Sequence, residues 1–446
     1  MRDPVQAKLA LWWGLMSVYA WYGLLVGLCV GAHLLISRTR APDWLRWAVP
    51  VPFVAAIVAL LAVYSEPPPR QLFEDLNAGY LSAARTVLRD PSHLYDEYSH
   101  GFVNIPVVAL PFVPLAMLTR SDAEHSYLIL GLFVLGMTWA AERRLLRASS
   151  WLALVLAGLF LVNGPLYNSL REGNSTHFLL GLLVAAFLAL GAGKEFRAGA
   201  LIAVCGVFKL PLLLLGAPFV LRRRWNAAAG FAAGVAGLLG LSLVIFGFEL
   251  HQTWWNQIIA PSSGEPVGAF NVQSIDGFLA RLLTGGRHLR DWAPIPGLGF
   301  EFTALRWLLI GGLAGLAGWA CWRAGAPGDG RGWQIELSIA LCLALLVSPI
   351  SWTHYYLLLL LPVGLCLAER ARLPGGWIGT GLLWLSVLLI SLPVRPVTAR
   401  TPWLRELVSQ WLISHYVFGA VLLLGLLLVL RQSAARESVP SVARRS

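Results

Sequence analysis

Residues 198–225 read AGALIAVCGVFKLPLLLLGAPFVLRRRW, and how this stretch sits in a bilayer decides how the chain is threaded. It is apolar for most of its length, broken by Lys209-Leu210-Pro211 and closed by Arg222, Arg223 and Arg224. An internal proline removes a backbone donor and bends a helix. A lysine at that depth is costly and faces a cavity with a partner. The stretch also begins at a basic turn, Lys194 and Arg197. Basic residues gather at the cytoplasmic ends of spans. Both ends therefore fall on one side, and the expectation is a re-entrant pair of half-helices turning near Lys209. Non-helical backbone at that depth needs protein or a cavity around it.

The rest of the chain supports a membrane setting. Of 446 residues, 57% are hydrophobic and 13% charged, and mean hydropathy is +0.67, so bilayer rather than water is the main solvent. Twenty tryptophans suit interfacial belts. The net charge of +11 sits in short runs between apolar segments: Arg38, Arg40 and Arg46; Arg143, Arg144 and Arg147; Arg222 to Arg224; Arg370 and Arg372. That pattern is a topology signal and argues against a nucleic-acid partner. The five cysteines are scattered with no CxxC spacing, so neither a disulfide framework nor a metal site is expected.

A span needs about 20 apolar residues at about 1.5 Å rise each. Runs of that kind lie at 9–35, 47–64, 122–141, 151–167, 177–193, 227–247, 304–322, 334–350, 352–368, 376–394 and 413–430. With the basic loops inside, parity keeps 105–118, broken by Pro106, Pro111 and Pro114, from crossing. The expected fold is an all-α integral membrane bundle of about 11–13 transmembrane helices with outer loops and re-entrant segments. It forms one polytopic domain over 1–430, followed by a disordered basic cytoplasmic tail, 431–446.

Polar groups collect on the outer face, in 65–104, 168–176, the long loop 248–303, 348–355 and 395–412. The first of these is the densest. It carries Glu66, Arg70, Glu74, Asp75, Tyr80, Arg85, Asp90, His93, Tyr95, Asp96, Glu97, His100 and Asn104. Adjacent carboxylates at a membrane surface suit a general base beside a lipid-borne substrate, and burial would raise such a group's pKa. A solvated loop with a capping carboxylate is the plainer alternative. Lys209 suits binding of an anionic phosphate. His354, in the Pro-broken turn Ser348-Pro-Ile-Ser-Trp352-Thr-His-Tyr-Tyr356, suits hydrogen bonding to one. Arg171 and Asn174 sit in another short outer turn, and the 248–303 loop adds Asn271, Ser274 and Arg281. No HExxH, P-loop, GxGxxG or GxSxG motif is present.

In order along the chain, these motifs resemble glycosyltransferase family 87. They are Asp75 with Tyr80-Leu-Ser-Ala-Ala-Arg85 and His93-Leu-Tyr-Asp96; Gly101-Phe-Val-Asn-Ile-Pro106; Gly173-Asn174; Phe208-Lys-Leu-Pro211; Asn271-Val-Gln-Ser274; and the Ser348 to His354 turn. The resemblance implies the GT-C membrane fold and a polyprenyl-phosphate sugar donor, commonly mannose. It also implies a glycolipid or glycan acceptor on the outer face of the cell membrane. No cofactor is expected, because cationic side chains could do the work of a metal at the departing phosphate. Carried over, Asp75 resembles the base for the acceptor hydroxyl. Lys209 and His354 resemble the grip on the donor phosphate, with Arg171 and Arg281 as further candidates. Tyr80, Asn104, Asn174, Asn271, Ser274 and Trp352 are expected to contact substrate. Asp75 stands five residues before Tyr80 where four are expected, so Glu74 is a rival base. A lipid-linked sugar transporter or flippase is the competing reading. It predicts charge spread through several spans and some repeat symmetry.

Overall fold

The computed structural model describes residues 72–96, 101–327, 330–373, 376–394, 396 and 401–437. The expected spans 9–35 and 47–64, the polar residues Glu66, Arg70, Glu97 and His100, and the end of the basic tail lie outside the described residues. Every named element among the described residues is helical, with one isolated antiparallel bridge between Val272 and Trp352.

A π-helical turn, Asp75–Leu81, runs into α1 (Ser82–Arg89). The proline-rich segment then forms a 3-10 turn, Pro106–Phe112, because Pro106 and Pro111 have no amide to give an α-helix. Its apolar helical stretch, Pro106–Ala116, is too short to span. Arg85 Nε donates to the Ala116 carbonyl (3.4 Å), folding the segment back onto α1.

Next come α2 (Arg120–Leu145), α3 (Ser150–Leu161), α4 (Gly164–Glu172), α5 (Thr176–Gly191) and α6 (Glu195–Phe208). The run expected as one span at 151–167 is instead a pair, α3 and α4, bent by 51°. Pro165 in the first turn of α4 starts a new helix, and Asn163 Oδ1 caps it at the Leu166 amide (2.8 Å).

At Lys209 the backbone turns extended (φ −138°, ψ 95°), then returns through a 3-10 segment, Leu210–Gly216, and a short helix, Ala217–Leu221. Fourteen residues of α6 reach about 21 Å at about 1.5 Å each. Seven 3-10 residues and five helical ones return over a similar distance at about 2 Å and 1.5 Å each. Glu195 at one end and Arg224 at the other form an ion pair, so both ends meet at one pole, as the hairpin reading requires. α7 (Trp225–Trp254) packs closely on α6. A Cβ on Gly199 would meet the Ala227 carbonyl, and one on Gly230 the Phe196 carbonyl.

The remaining helices are α8 (Ile275–Leu283), α9 (Gly299–Arg323), α10 (Gly330–Val347), α11 (Leu360–Ala368), α12 (Trp377–Ser391) and α13 (His415–Glu437). A 3-10 turn, Thr353–Leu359, leads into α11. Among the described residues, Trp225–Ile259, Gly299–Arg323, Gly330–Val347 and Pro402–Ala435 are long and apolar enough to cross a membrane. Counted as one broken span, the bent pair makes a fifth. Other apolar runs become shorter helices, Thr176–Gly191, Thr353–Ala368 and Trp377–Ser391. In Thr353–Ala368 the first seven residues form a 3-10 turn, which hydropathy does not separate from an α-helix.

The apolar window of Gly330–Val347 is 78% buried and those of Trp225–Ile259 and Gly299–Arg323 only 11%, which separates an inner helix from an outer pair. Exposed Phe248, Trp307 and Leu308 on that pair suit hydrocarbon rather than water. Within the core, Glu336 of α10 accepts from Arg222 (2.7 Å) and Arg431 (2.9 Å), so the buried carboxylate is compensated from two sides.

Four helices, two in each direction, define two poles. Asn77 Nδ2 donates to Glu124 Oε1 (2.7 Å), which sets the start of α2 beside the Asp75 turn. The start of α5 and the end of α6 reach the same pole. The other ends of α2, α5 and α6, with the start of α10, surround a cavity at the opposite pole.

Candidate active site

The carboxylate of Asp75 is placed by its backbone. Phe73 has φ +58°, a left-handed conformation that non-glycine residues rarely adopt, and its amide donates to the Arg171 carbonyl (2.7 Å). That tie docks the start of the π-turn against the end of α4. There α4 closes on Gly173 (φ 67°, ψ 34°), with the Asn174 amide donating to the Ser169 carbonyl (2.7 Å). A Cβ at Gly173 would stand 2.5 Å from Leu76 Cβ, so glycine serves both the turn and the close approach.

Asn174 is thereby brought to Asp75. Its Oδ1 accepts from the Thr176 amide (3.1 Å) and hydroxyl (2.7 Å), which fixes the amide orientation. Nδ2 then donates to Asp75 Oδ2 (2.6 Å). Asp75 is half-buried, and burial raises its carboxyl above the ordinary range against the opposing pull of Asn174 and the Lys209 charge. Glu74 adds a smaller upward push and is itself exposed.

Lys209, at the hairpin turn, is buried, and its Nζ lies 4.6 Å from the Tyr355 ring centroid. Its charge acts on both Asp75 and His354. His354 is buried in the 3-10 turn, and its Nε2 has no hydrogen-bond partner among the described residues. A buried imidazole nitrogen left unmatched is costly unless something occupies it in function. Tyr80 stacks on Phe112 (4.3 Å), and its hydroxyl lies 3.0 Å from Ser175 Oγ. Asn104 reaches the same hydroxyl, while its carbonyl accepts from Tyr95 (2.6 Å).

A second group of expected site residues braces the His354 turn. The Gln273 amide donates to the Ser351 carbonyl (2.6 Å), and the Thr353 amide to the Asn271 carbonyl (2.9 Å). Tyr356 donates to the Gln273 carbonyl (2.5 Å). Ser274 caps α8 and donates to the Pro349 carbonyl (3.0 Å). Trp292 Nε1 donates to Asn271 Oδ1 (2.9 Å), and Trp352 forms the bridge to Val272. These contacts lock 271–274 to 349–353.

Arg281 is placed elsewhere. Fully buried, it donates through Nη1 to the Ala269 and Val272 carbonyls (2.9 and 2.8 Å) and through Nε and Nη2 to Ser414 Oγ (3.1 and 3.0 Å). Its guanidinium ties loop to core. Arg171 is half-buried beside Glu172, with its Nε unmatched among the described residues. Tyr355 and Ser175, which complete the cluster around Lys209 and Tyr80, were not singled out by sequence. Tyr355 carried a signal, as the residue after His354.

Fold and site together define an all-helical, multi-pass membrane protein that sets one restrained carboxylate against a lysine and an imidazole. The chain belongs to glycosyltransferase family 87, whose family model matches residues 102–349; it is a glycosyltransferase. It is 26% identical over 383 residues to a protein of Mycolicibacterium smegmatis, covering 82% of this chain and 87% of that one. That relative is described as a polyprenol-phosphate-mannose-dependent alpha-(1-2)-phosphatidylinositol pentamannoside mannosyltransferase. A Mycobacterium tuberculosis protein of the same description is 28% identical over 213 residues, 48% of this chain and 45% of its own. No solved structure matches the chain. The transport reading has no comparable support.

Proposed function

We propose that the protein transfers mannose from a polyprenyl-phosphate donor to a glycolipid or glycan acceptor at the extracytoplasmic face of the cell membrane, within a GT-C-type bundle. The observation that carries the reading is the Asp75 carboxylate, oriented by Asn174 and facing the charge of Lys209. In an inverting single displacement, the acceptor oxygen attacks the anomeric carbon. The bond from that carbon to the phosphate oxygen breaks, and polyprenyl phosphate leaves with the electron pair. Asp75 takes the hydroxyl proton. Lys209 and His354 stabilise the departing phosphate, and Arg171 supplies a further cation at the rim. Tyr80, Asn104, Asn271, Ser274 and Trp352 shape and brace the sugar-binding surface. The basic residues at the opposite pole support an extracytoplasmic site.

The direct test supplies synthetic polyprenyl-phosphate mannose and a lipid extract to the full chain in nanodiscs. Release of polyprenyl phosphate with a new mannosylated product is expected. Folded protein that turns over a different polyprenyl-phosphate sugar and not this one would correct the donor.

Asn174→Ala tests the orientation of the base. It removes a charge-assisted hydrogen bond, worth roughly tenfold to a hundredfold in rate near neutral pH. That bond lowers the Asp75 pKa, so its loss moves the acid limb of the pH–rate profile to higher pH. A fall of equal size at every pH would instead mark Asn174 as structural.

A further inference from the structure

At the pole opposite Asp75 lies a cavity of about 970 Å³, lined by Arg144, Arg147, Lys194, Arg197, Arg331 and Arg372. Its lone acidic lining residue, Glu369, is engaged by Arg331 (3.0 Å) and Arg372 (2.8 Å), and Arg331 also donates to Gln334 (3.0 Å). Glu195, next in sequence to Lys194, is turned to Arg224. Among the described residues no acidic side chain pairs with Arg144, Arg147, Lys194 or Arg197. Four of the six cations are thus uncompensated in one concavity.

The positive-inside rule accounts for basic residues at this pole, and helix dipoles account for some of their positions. Arg144 stands in the last turn of α2, where a cation is favourable. Lys194 and Arg197 do not fit that account. Lys194 is the N-cap of α6 and Arg197 lies in its first turn, where the dipole disfavours a positive side chain. The N-termini of α6 and α10, with Lys194 and Arg197 beside the first, therefore present positive potential to one space, an arrangement suited to an anion. Between the cations the wall is apolar, with Leu145, Leu188 and Leu201. A free inorganic anion has no use for that wall. A phosphate carried on a glycerol-linked acyl chain does.

We propose that this cavity binds a phosphate-bearing anion, a membrane phospholipid headgroup whose acyl roots lie along the leucine wall. The site is separate from the sugar-transfer centre. α5, sixteen residues long, spans the two at about 1.5 Å per residue, or about 24 Å. A bound headgroup would neutralise like charges gathered from four helix ends and so hold those ends together.

The test measures binding of short-chain phosphatidylglycerol, phosphatidylcholine and inorganic phosphate to the full chain in detergent by native mass spectrometry. The proteins compared are wild type, the triple variant Arg147→Ala/Lys194→Ala/Arg197→Ala, and the control Arg143→Ala/Arg223→Ala. The control removes exposed charge at the same pole outside the cavity. Phosphatidylglycerol is expected to bind at least tenfold tighter than phosphatidylcholine. The triple variant should lose roughly a hundredfold, about one membrane-surface charge interaction for each residue, and the control should stay within about threefold. All three side chains are exposed, so the variant's melting temperature in phosphatidylcholine should match wild type. Inorganic phosphate binding as tightly as the lipid would assign the site to a soluble anion. Equal loss in the triple variant and the control, or no preference for the anionic lipid, overturns the proposal. None of these readouts depends on sugar transfer.

Discussion

Asp75→Asn is expected to lower kcat/KM for sugar transfer by about 10²–10⁴-fold, the usual contribution of a positioned general base, while the protein folds at least as well as wild type. The amide is nearly isosteric and keeps an oxygen for the Asn174 donor, so the turn at Gly173 has no reason to move. Stability should shift in the opposite direction from activity. Burial raises the carboxyl pKa in the folded protein. An acid with a raised folded-state pKa holds its proton more tightly than it does in the unfolded chain. Folding stability is therefore lost as pH rises from the unfolded value through the folded one, and a neutral amide removes that loss. The same upward shift places the acid limb of the wild-type pH–rate profile above the ordinary carboxylate range. Transfer should fall as pH drops through that limb, because the base must be ionised. Glu74→Gln is the paired measurement: Glu74 is exposed, and its loss should change kcat/KM by less than about threefold. A collapse in the Glu74 variant with an active Asp75→Asn enzyme would exchange the two roles.

Much of this candidate site's geometry was legible in the chain, and the reason differs from residue to residue. Lys209 stood out because an ionisable group within an apolar run is expensive, and the structure gives it the neighbours that such a cost demands. The hairpin around it was legible from basic residues at both ends. Asn174 was visible as part of a short polar turn. Its orientation depends on two hydrogen bonds from Thr176 that fix which end of the amide faces Asp75. A sequence does not display such an orientation. Arg281 shows the converse limit. A cation in an outer loop reads as a phosphate ligand, yet four of its hydrogen bonds are spent on carbonyls and Ser414. Whether a buried arginine binds ligand or backbone is decided by tertiary contacts alone. The run expected as a span at 352–368 shows another limit: its first part, Thr353–Leu359, is 3-10, and hydropathy does not separate a 3-10 turn from an α-helix. The bend between α3 and α4 was carried by Asn163-Gly164-Pro165, a start signal inside an apolar run.

Lys209→Met should produce the second-largest loss, about 10²–10³-fold in kcat, the scale associated with removing one preorganised group that stabilises transition-state charge. Methionine retains most of the lysine's length and apolar stem, so the packing on Tyr355 should survive while the charge disappears. The loss should fall on kcat more than KM. Charge on the bridging phosphate oxygen grows as the glycosidic bond breaks, and the cation is worth most when that charge is complete. A second signature separates this role from general destabilisation. Lys209 lowers the Asp75 pKa, so removing it should move the acid limb to higher pH, in the same direction as Asn174→Ala but with a much lower plateau. Lys209→Arg keeps the charge yet needs room for a planar guanidinium beside the Tyr355 ring, and it should recover only part of the rate. If the methionine variant keeps the wild-type plateau rate and only its acid limb moves, Lys209 tunes the base and does not grip the phosphate. The unmatched Nε2 of His354 would then be the stronger candidate for that contact.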